Sequence, residues 1–101
     1  RATRQSRLFT TATQINFSDD TLNHRTILEL IAGDRPGLLS QIGKVLMLEH
    51  VYLHDAKIGT VGERAEDVFY VTDEAGNPLD QKTREQLQQR LVTELDQKPA
   101  A

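Results

Sequence analysis

Thr26-Ile27-Leu28-Glu29-Leu30-Ile31-Ala32-Gly33-Asp34-Arg35-Pro36-Gly37-Leu38-Leu39 is the stretch on which the fold turns. Leu28, Leu30 and Ala32 share one face of the first seven residues, and Ile27, Glu29 and Ile31 share the other. A strand with two apolar faces belongs in the middle of a sheet, covered on both sides. Gly33 to Gly37 breaks it. Pro36 suits the first turn of a helix, where its missing N–H costs nothing. Asp34 stands where its carboxylate can cap the free amides of that helix. Leu38, Leu39, Ile42, Val45 and Leu46 then recur as one apolar stripe, which predicts a helix running to about Glu49. Gly43 lies inside it at a cost of about 1 kcal/mol relative to alanine, so a close approach to another backbone is expected there.

On the N-terminal side, Gln14-Ile15-Asn16-Phe17 alternates polar and apolar residues as a half-buried strand does. Ser18-Asp19-Asp20-Thr21 and Asn23 supply turn chemistry before Thr26. On the C-terminal side, Val51 to Val61 reads as one long strand, Gly62-Glu63-Arg64 as a hairpin turn and Val68 to Thr72 as a further strand. After Gly76-Asn77-Pro78, Asp80 is a plausible N-cap for a last helix. Leu87, Leu91 and Leu95 recur every four residues in it, with Val92 beside them, and Lys98-Pro99 stops it. From Thr26 onward the order is βαββα, a ferredoxin-like α+β unit without its last strand. The strand around Ile15 and Phe17 is expected to fill that vacancy by pairing antiparallel with the 26–32 strand. Both helices then pack on one face of an antiparallel sheet. The other face carries Ile27 and Ile31, which predicts docking against a second copy or a neighbouring domain.

With 101 residues the chain holds one small domain. Twelve basic against fifteen acidic residues give a net charge of −3, which argues against nucleic acid as a partner. No cysteine is present, which excludes disulfide frameworks, zinc knuckles and thiol catalysis. No apolar run approaches the roughly 18–20 residues of a membrane span, so no membrane partner and a cytoplasmic location are expected. Charge is uneven. Residues 1–11 carry Arg1, Arg4 and Arg7 and no acid, whereas residues 12–79 carry eleven acids and five bases. The chain is therefore divided into a linker or arm at 1–11, a domain at 12–97 and a tail at 98–101. The only methionine is Met47, so the expectation is a piece of a longer protein.

The Gly33–Leu39 segment has two readings. It is either a well-capped strand-to-helix turn or a ligand loop, because free amides and the helix dipole attract anions at a helix N-terminus. Leu28-Glu29-Leu30-Ile31-Ala32-Gly33-Asp34-Arg35-Pro36-Gly37-Leu38-Leu39 resembles the opening of an ACT domain, the small amino-acid-sensing module attached to many metabolic enzymes. A second stretch, from Val51 to Asp73 with its core Gly62-Glu63-Arg64-Ala65-Glu66-Asp67-Val68-Phe69-Tyr70-Val71-Thr72-Asp73, is similar to the last ACT repeat of the bacterial enzymes that modify the PII signalling protein. Plant ACT-repeat proteins share much of the pattern. The resemblance spans roughly residues 13–97 and implies a ferredoxin-like ACT fold. It implies a parent with a nucleotidyltransferase domain, an HD-type hydrolase domain and two C-terminal ACT domains. That parent acts on PII and responds to glutamine. The resemblance further implies no catalytic residue and no cofactor in this chain, with magnesium serving the parent's catalytic part. Family ligands bind at the strand-to-helix loop, which carries over to Gly33, Asp34, Arg35, Pro36, Gly37 and Leu38. The facing strand adds His54, Asp55 and Ala56. Backbone N–H groups at Gly37 and Leu38 are candidate donors for a ligand carboxylate. Asp34 or backbone carbonyls are candidate acceptors for an ammonium, unless Asp34 is spent on capping.

Other constellations read as structure. His50 and His54 are four apart, but the helix is expected to end between them, so no metal site is assigned. Asp19-Asp20 and Asp73-Glu74 sit beside turn residues and lack a calcium-loop spacing. Two further readings stay open: a dimerisation domain without ligand, and a small acylphosphatase-like enzyme using Arg35. Against the last, the glycine pattern around Arg35 is wrong and the facing strand offers no Asn.

Overall fold

The computed structural model describes residues 11–96. The proposed arm, apart from Thr11, and the Lys98-Pro99 stop lie outside them. The elements are β1 (Gln14–Asp20), β2 (Arg25–Gly33), α1 (Leu38–Leu48), β3 (Tyr52–Lys57), β4 (Thr60–Val61), β5 (Arg64–Thr72) and α2 (Gln81–Leu95). They form one antiparallel sheet in the order β1-β2-β5-β3, with β4 paired to β5. Strand β1 pairs antiparallel with β2, Ile15 opposite Leu30 and Phe17 opposite Leu28. It therefore fills the position that the final strand of a βαββαβ unit would occupy.

The core lies between the sheet and the two helices. Leu28, Leu30 and Ala32 on β2 and Ala65, Phe69 and Val71 on β5 bury against Leu38, Ile42, Val45 and Leu46 of α1 and Leu87, Leu91 and Leu95 of α2. This matches the faces read from the β2 alternation and from the helical stripes. The open face of the sheet is mixed. Ile27, Ile31, Val68 and Tyr70 are half-buried there, and long polar side chains cover part of them. Arg25 lies 4.9 Å and Lys57 5.8 Å from the Tyr70 ring centroid, and Asn16 donates to Glu29 at 2.8 Å.

Three local expectations are revised. The long Val51–Val61 strand is interrupted at Ile58-Gly59, although Lys57–Val68 and Thr60–Ala65 keep one register across the gap. Strand β5 begins at Arg64, four residues before the expected Val68. Gly43 faces open space within this chain, with nothing near where a Cβ would sit. Asp80, in contrast, caps α2 as expected, accepting the Thr83 N–H at 2.8 Å.

A buried polar contact ties β2 to the approach of α2. The Thr26 hydroxyl is fully buried and accepts the Leu79 N–H at 2.8 Å. Thr26→Val keeps the shape and leaves that amide without a partner, at an expected loss of about 1–3 kcal/mol. Urea unfolding of the two chains measures it, and equal stabilities would show that the bond contributes nothing net.

Candidate functional site

Helix α1 begins in an unusual way. The Leu38 N–H donates to the Arg35 carbonyl at 3.3 Å, and Gly37 has φ 83° and ψ 1°. Those angles fit the third position of a type II turn, with proline favoured before it and glycine required at that point. The Arg35-Pro36-Gly37-Leu38 run is therefore a turn that delivers the chain into a helix. Gly37 is the N-cap and no side chain caps the helix. The expected Asp34 cap is not formed. The backbone N–H of Asp34 donates to the Glu63 carbonyl at 2.9 Å, which pins the loop to the β4–β5 turn and leaves its carboxylate uncommitted to the helix. No acid stands in the first turn of α1, so its positive dipole end is unopposed by its own sequence.

Arg35 has a structural task. Its guanidinium donates to the Leu95 carbonyl at 3.2 Å and to Gln41 Oε1, while Gln41 Nε2 donates to the Glu94 carbonyl at 2.9 Å. The loop thereby supplies donors and a positive charge to the C-terminal end of α2, where carbonyls lack helical partners. A phosphate cradle of the acylphosphatase type needs that guanidinium free.

The loop bounds a cavity of about 210 Å³. This is below the roughly 300–1,000 Å³ of clefts that hold drug-sized ligands, and suits one small metabolite. Asp34, Arg35, Gly37 and Leu38 line one side, continued by Leu39 and Ser40 of the first helical turn. Ile58, Gly59 and Thr60 face them, and Ala65 and Asp67 of β5 form the floor. Of the loop residues singled out in the sequence, Gly33 ends β2 opposite Arg64 and Pro36 is the second residue of the turn, and neither lines this space. His54, Asp55 and Ala56 lie away from it on β3. His54 sits at a bulge and contacts Thr72 Oγ1 through Nε2 at 2.7 Å, Asp55 pairs with Tyr70, and Ala56 packs on the core. Helix α1 ends before His50, so His50 and His54 share no helical face.

Asp67 was not among the expected site residues. It lies opposite Leu30 on β5, in the inward row that includes Ala65, Phe69 and Val71, and is only 2 % exposed. Its Oδ1 accepts the Gly59 N–H at 3.2 Å, while Oδ2 is buried without a partner. Gly59 is opposite Glu66, whose N–H donates to the Gly59 carbonyl at 3.0 Å. The return bond of that ladder pair is diverted to the Asp67 carboxylate, which explains the strand break at 58–59. A Cβ at Gly59 would come within 3.3 Å of the Glu66 carbonyl, so a side chain there would crowd this arrangement. Burial pushes the Asp67 carboxyl above its usual range. The Gly59 N–H pulls it down, and the nearby Asp34 carboxylate pushes it up again. Only the extension of the Val68–Thr72 alternation back to Arg64 puts Asp67 in the inward row with Phe69 and Val71.

A four-position antiparallel sheet order with two helices on one face, and a strand-to-helix loop that opens a small cavity, define a small α+β module of the ferredoxin-like class. The ACT domain profile matches residues 26–91, and the chain belongs to the ACT domain family. It is 50% identical over 93 residues to a bifunctional uridylyltransferase/uridylyl-removing enzyme of Methylococcus capsulatus, covering 92% of this chain and 11% of that protein. Bifunctional uridylyltransferase/uridylyl-removing enzymes of Legionella pneumophila strain Corby and of Xanthomonas euvesicatoria are 43% and 45% identical over 95 and 93 residues. Those alignments cover 94% and 92% of this chain and 11% of each relative. The chain thus spans about a tenth of the length of the curated relatives it matches. Among the described residues no helix is long and apolar enough to cross a membrane.

Proposed function

We propose that this ACT domain senses an amino acid, glutamine, in the cavity at the N-terminus of α1. It then regulates a parent enzyme of the uridylyltransferase/uridylyl-removing type that acts on the PII protein. The observation that carries the reading is the uncapped N-terminus of α1, without an acid in its first turn, opening into a cavity of metabolite size. Free helix amides and the dipole attract a carboxylate there. The relatives' names support the parent's identity. Ligand binding changes the parent by population shift: glutamine favours whichever domain arrangement binds it more tightly, and only to that extent. Magnesium belongs with the catalytic part of such a parent.

Calorimetric titration of glutamine into the chain tests the reading. Saturable heat at up to millimolar glutamine is expected, and its absence would remove glutamine as the ligand. The half-buried Ile27, Ile31, Val68 and Tyr70 on the open face support a second role, docking on a second copy or a neighbouring ACT domain. Sedimentation of the chain across a concentration series distinguishes self-association from a monomer that keeps this face for a neighbour.

A further inference from the structure

We infer that Asp67 is the residue that selects for a ligand's ammonium group, so that the cavity takes zwitterionic α-amino acids and rejects carboxylic acids of the same shape that lack the amine. The inference rests on the amino-acid reading above and gives a role to a residue the loop motif does not contain. Its first support is placement. Asp67 occupies an inward-facing position of β5 beside Leu30, where an apolar side chain would cost nothing. A carboxylate there needs compensation, because a buried polar atom without a partner is destabilising. Gly59 satisfies Oδ1, while Oδ2 is buried without a partner on a residue that lines the cavity.

The second support is charge. Among the described residues neither Asp67 nor Asp34 forms an ion pair; the bases that pair with acids do so elsewhere. The one guanidinium at the cavity, Arg35, is held by Leu95 and Gln41. The Asp34 and Asp67 carboxyls at the cavity therefore have no ion-pair partner among the described residues, while the α1 end carries the positive pole of an uncapped helix. A ligand complementary to both ends has an anionic and a cationic group close together. An α-amino acid has that pair on adjacent atoms. Its carboxylate meets the amides at the start of α1, and its ammonium donates to Asp67 Oδ2 and, on the other side, to Asp34. A bare anion would be repelled by the floor, and a bare cation by the helix end.

The test uses glutamine and its des-amino analogue 4-carbamoylbutanoate, titrated into the chain and into Asp67→Asn. Asparagine keeps an oxygen for the Gly59 N–H, so the strand geometry survives, and an unchanged amide spectrum away from residues 58–67 verifies it. The chain is expected to bind glutamine at least about tenfold more tightly than the des-amino analogue, the scale of a charge-assisted hydrogen bond. Asp67→Asn is expected to lose that preference by weakening glutamine alone. The ligand comparison on the unaltered chain stands even if the variant misfolds. Equal binding of glutamine by the chain and by Asp67→Asn would overturn the role of Asp67 and leave the amino-acid site in place. Equal binding of both ligands by the unaltered chain would overturn ammonium selection. Binding of neither ligand would overturn the amino-acid reading and this inference with it.

Discussion

Ser40→Asp is expected to weaken glutamine binding at least about tenfold while making the domain slightly more stable. Ser40 is an exposed residue of the first turn of α1 and lines the cavity. That turn contains no acid, and no side chain caps the helix. An aspartate there satisfies first-turn amides and opposes the dipole, a gain of about 0.3–1 kcal/mol. The same charge then occupies the position a ligand carboxylate needs. Two like charges about 4 Å apart repel by about 4 kcal/mol at the effective dielectric of a protein surface, so a tenfold loss is a conservative expectation. Ser40→Asn adds a polar group without the charge and is expected to bind nearly as the unaltered chain does. If Ser40→Asp and Ser40→Asn bind glutamine equally, the carboxylate does not sit at the start of α1. The opposed signs, stability up and affinity down, distinguish this outcome from damage to the fold.

The largest effect on stability is expected in the core, on the buried face of α2. Leu91→Ala removes a side chain that is 0 % exposed, between Leu87 and Leu95 on the buried face of α2. The expected cost is about 2–5 kcal/mol, the lost transfer energy plus the residual cavity. A domain of this size has only about 5–15 kcal/mol in all, so thermal unfolding falls by many degrees. Sheet residues Leu28, Leu30, Phe69 and Val71 form the same core, and they cannot close the gap without distorting the β2–β5 pairing. Fluorescence is a poor monitor, since the chain lacks tryptophan; far-UV circular dichroism under urea reads the loss directly. A loss under about 1 kcal/mol would mean that α2 packs far more loosely than its burial shows.

The Asp67 carboxyl adds a pH dependence with a defined sign. Its folded-state pKa lies above the ordinary aspartate value because burial disfavours the charged form. Any stability this group contributes is present below the unfolded pKa and is lost as pH rises through the folded value. Asp80 has the opposite sign. Its hydrogen bonds with Thr83 lower its pKa, so the contribution of the cap is present above the unfolded value and fades as pH falls through the folded one.

The frame was legible in the sequence because it is written in local periodicity. The β2 alternation and the four-residue spacing of Leu87, Leu91 and Leu95 put the correct faces inward. The lone Ile15–Phe17 strand found its partner because a short turn joins it to β2, whose outer edge the missing final strand would otherwise cover. The site was less legible because its determinants are distant in the chain. Arg35 was read from its loop alone, and its hydrogen bond to the Leu95 carbonyl, 60 positions away, lies beyond any local pattern. Asp34 looked like a cap, but the Pro36-Gly37 turn enters the helix without one. Asp67 was hidden because Ala65-Glu66-Asp67 is small and charged and does not read as a strand start. Pairing with β2 on one side and β4 on the other carries β5 back to Arg64.

The most direct measurement of the central claim is an amide chemical-shift titration of the isotopically labelled chain with glutamine. The cavity at the start of α1 predicts saturable shifts concentrated in residues 34–40, 58–60 and 65–67, with the Gly59 and Asp67 amides among the largest. Shifts confined to the open sheet face around Ile27, Ile31 and Tyr70, or no shifts at millimolar glutamine, would contradict it.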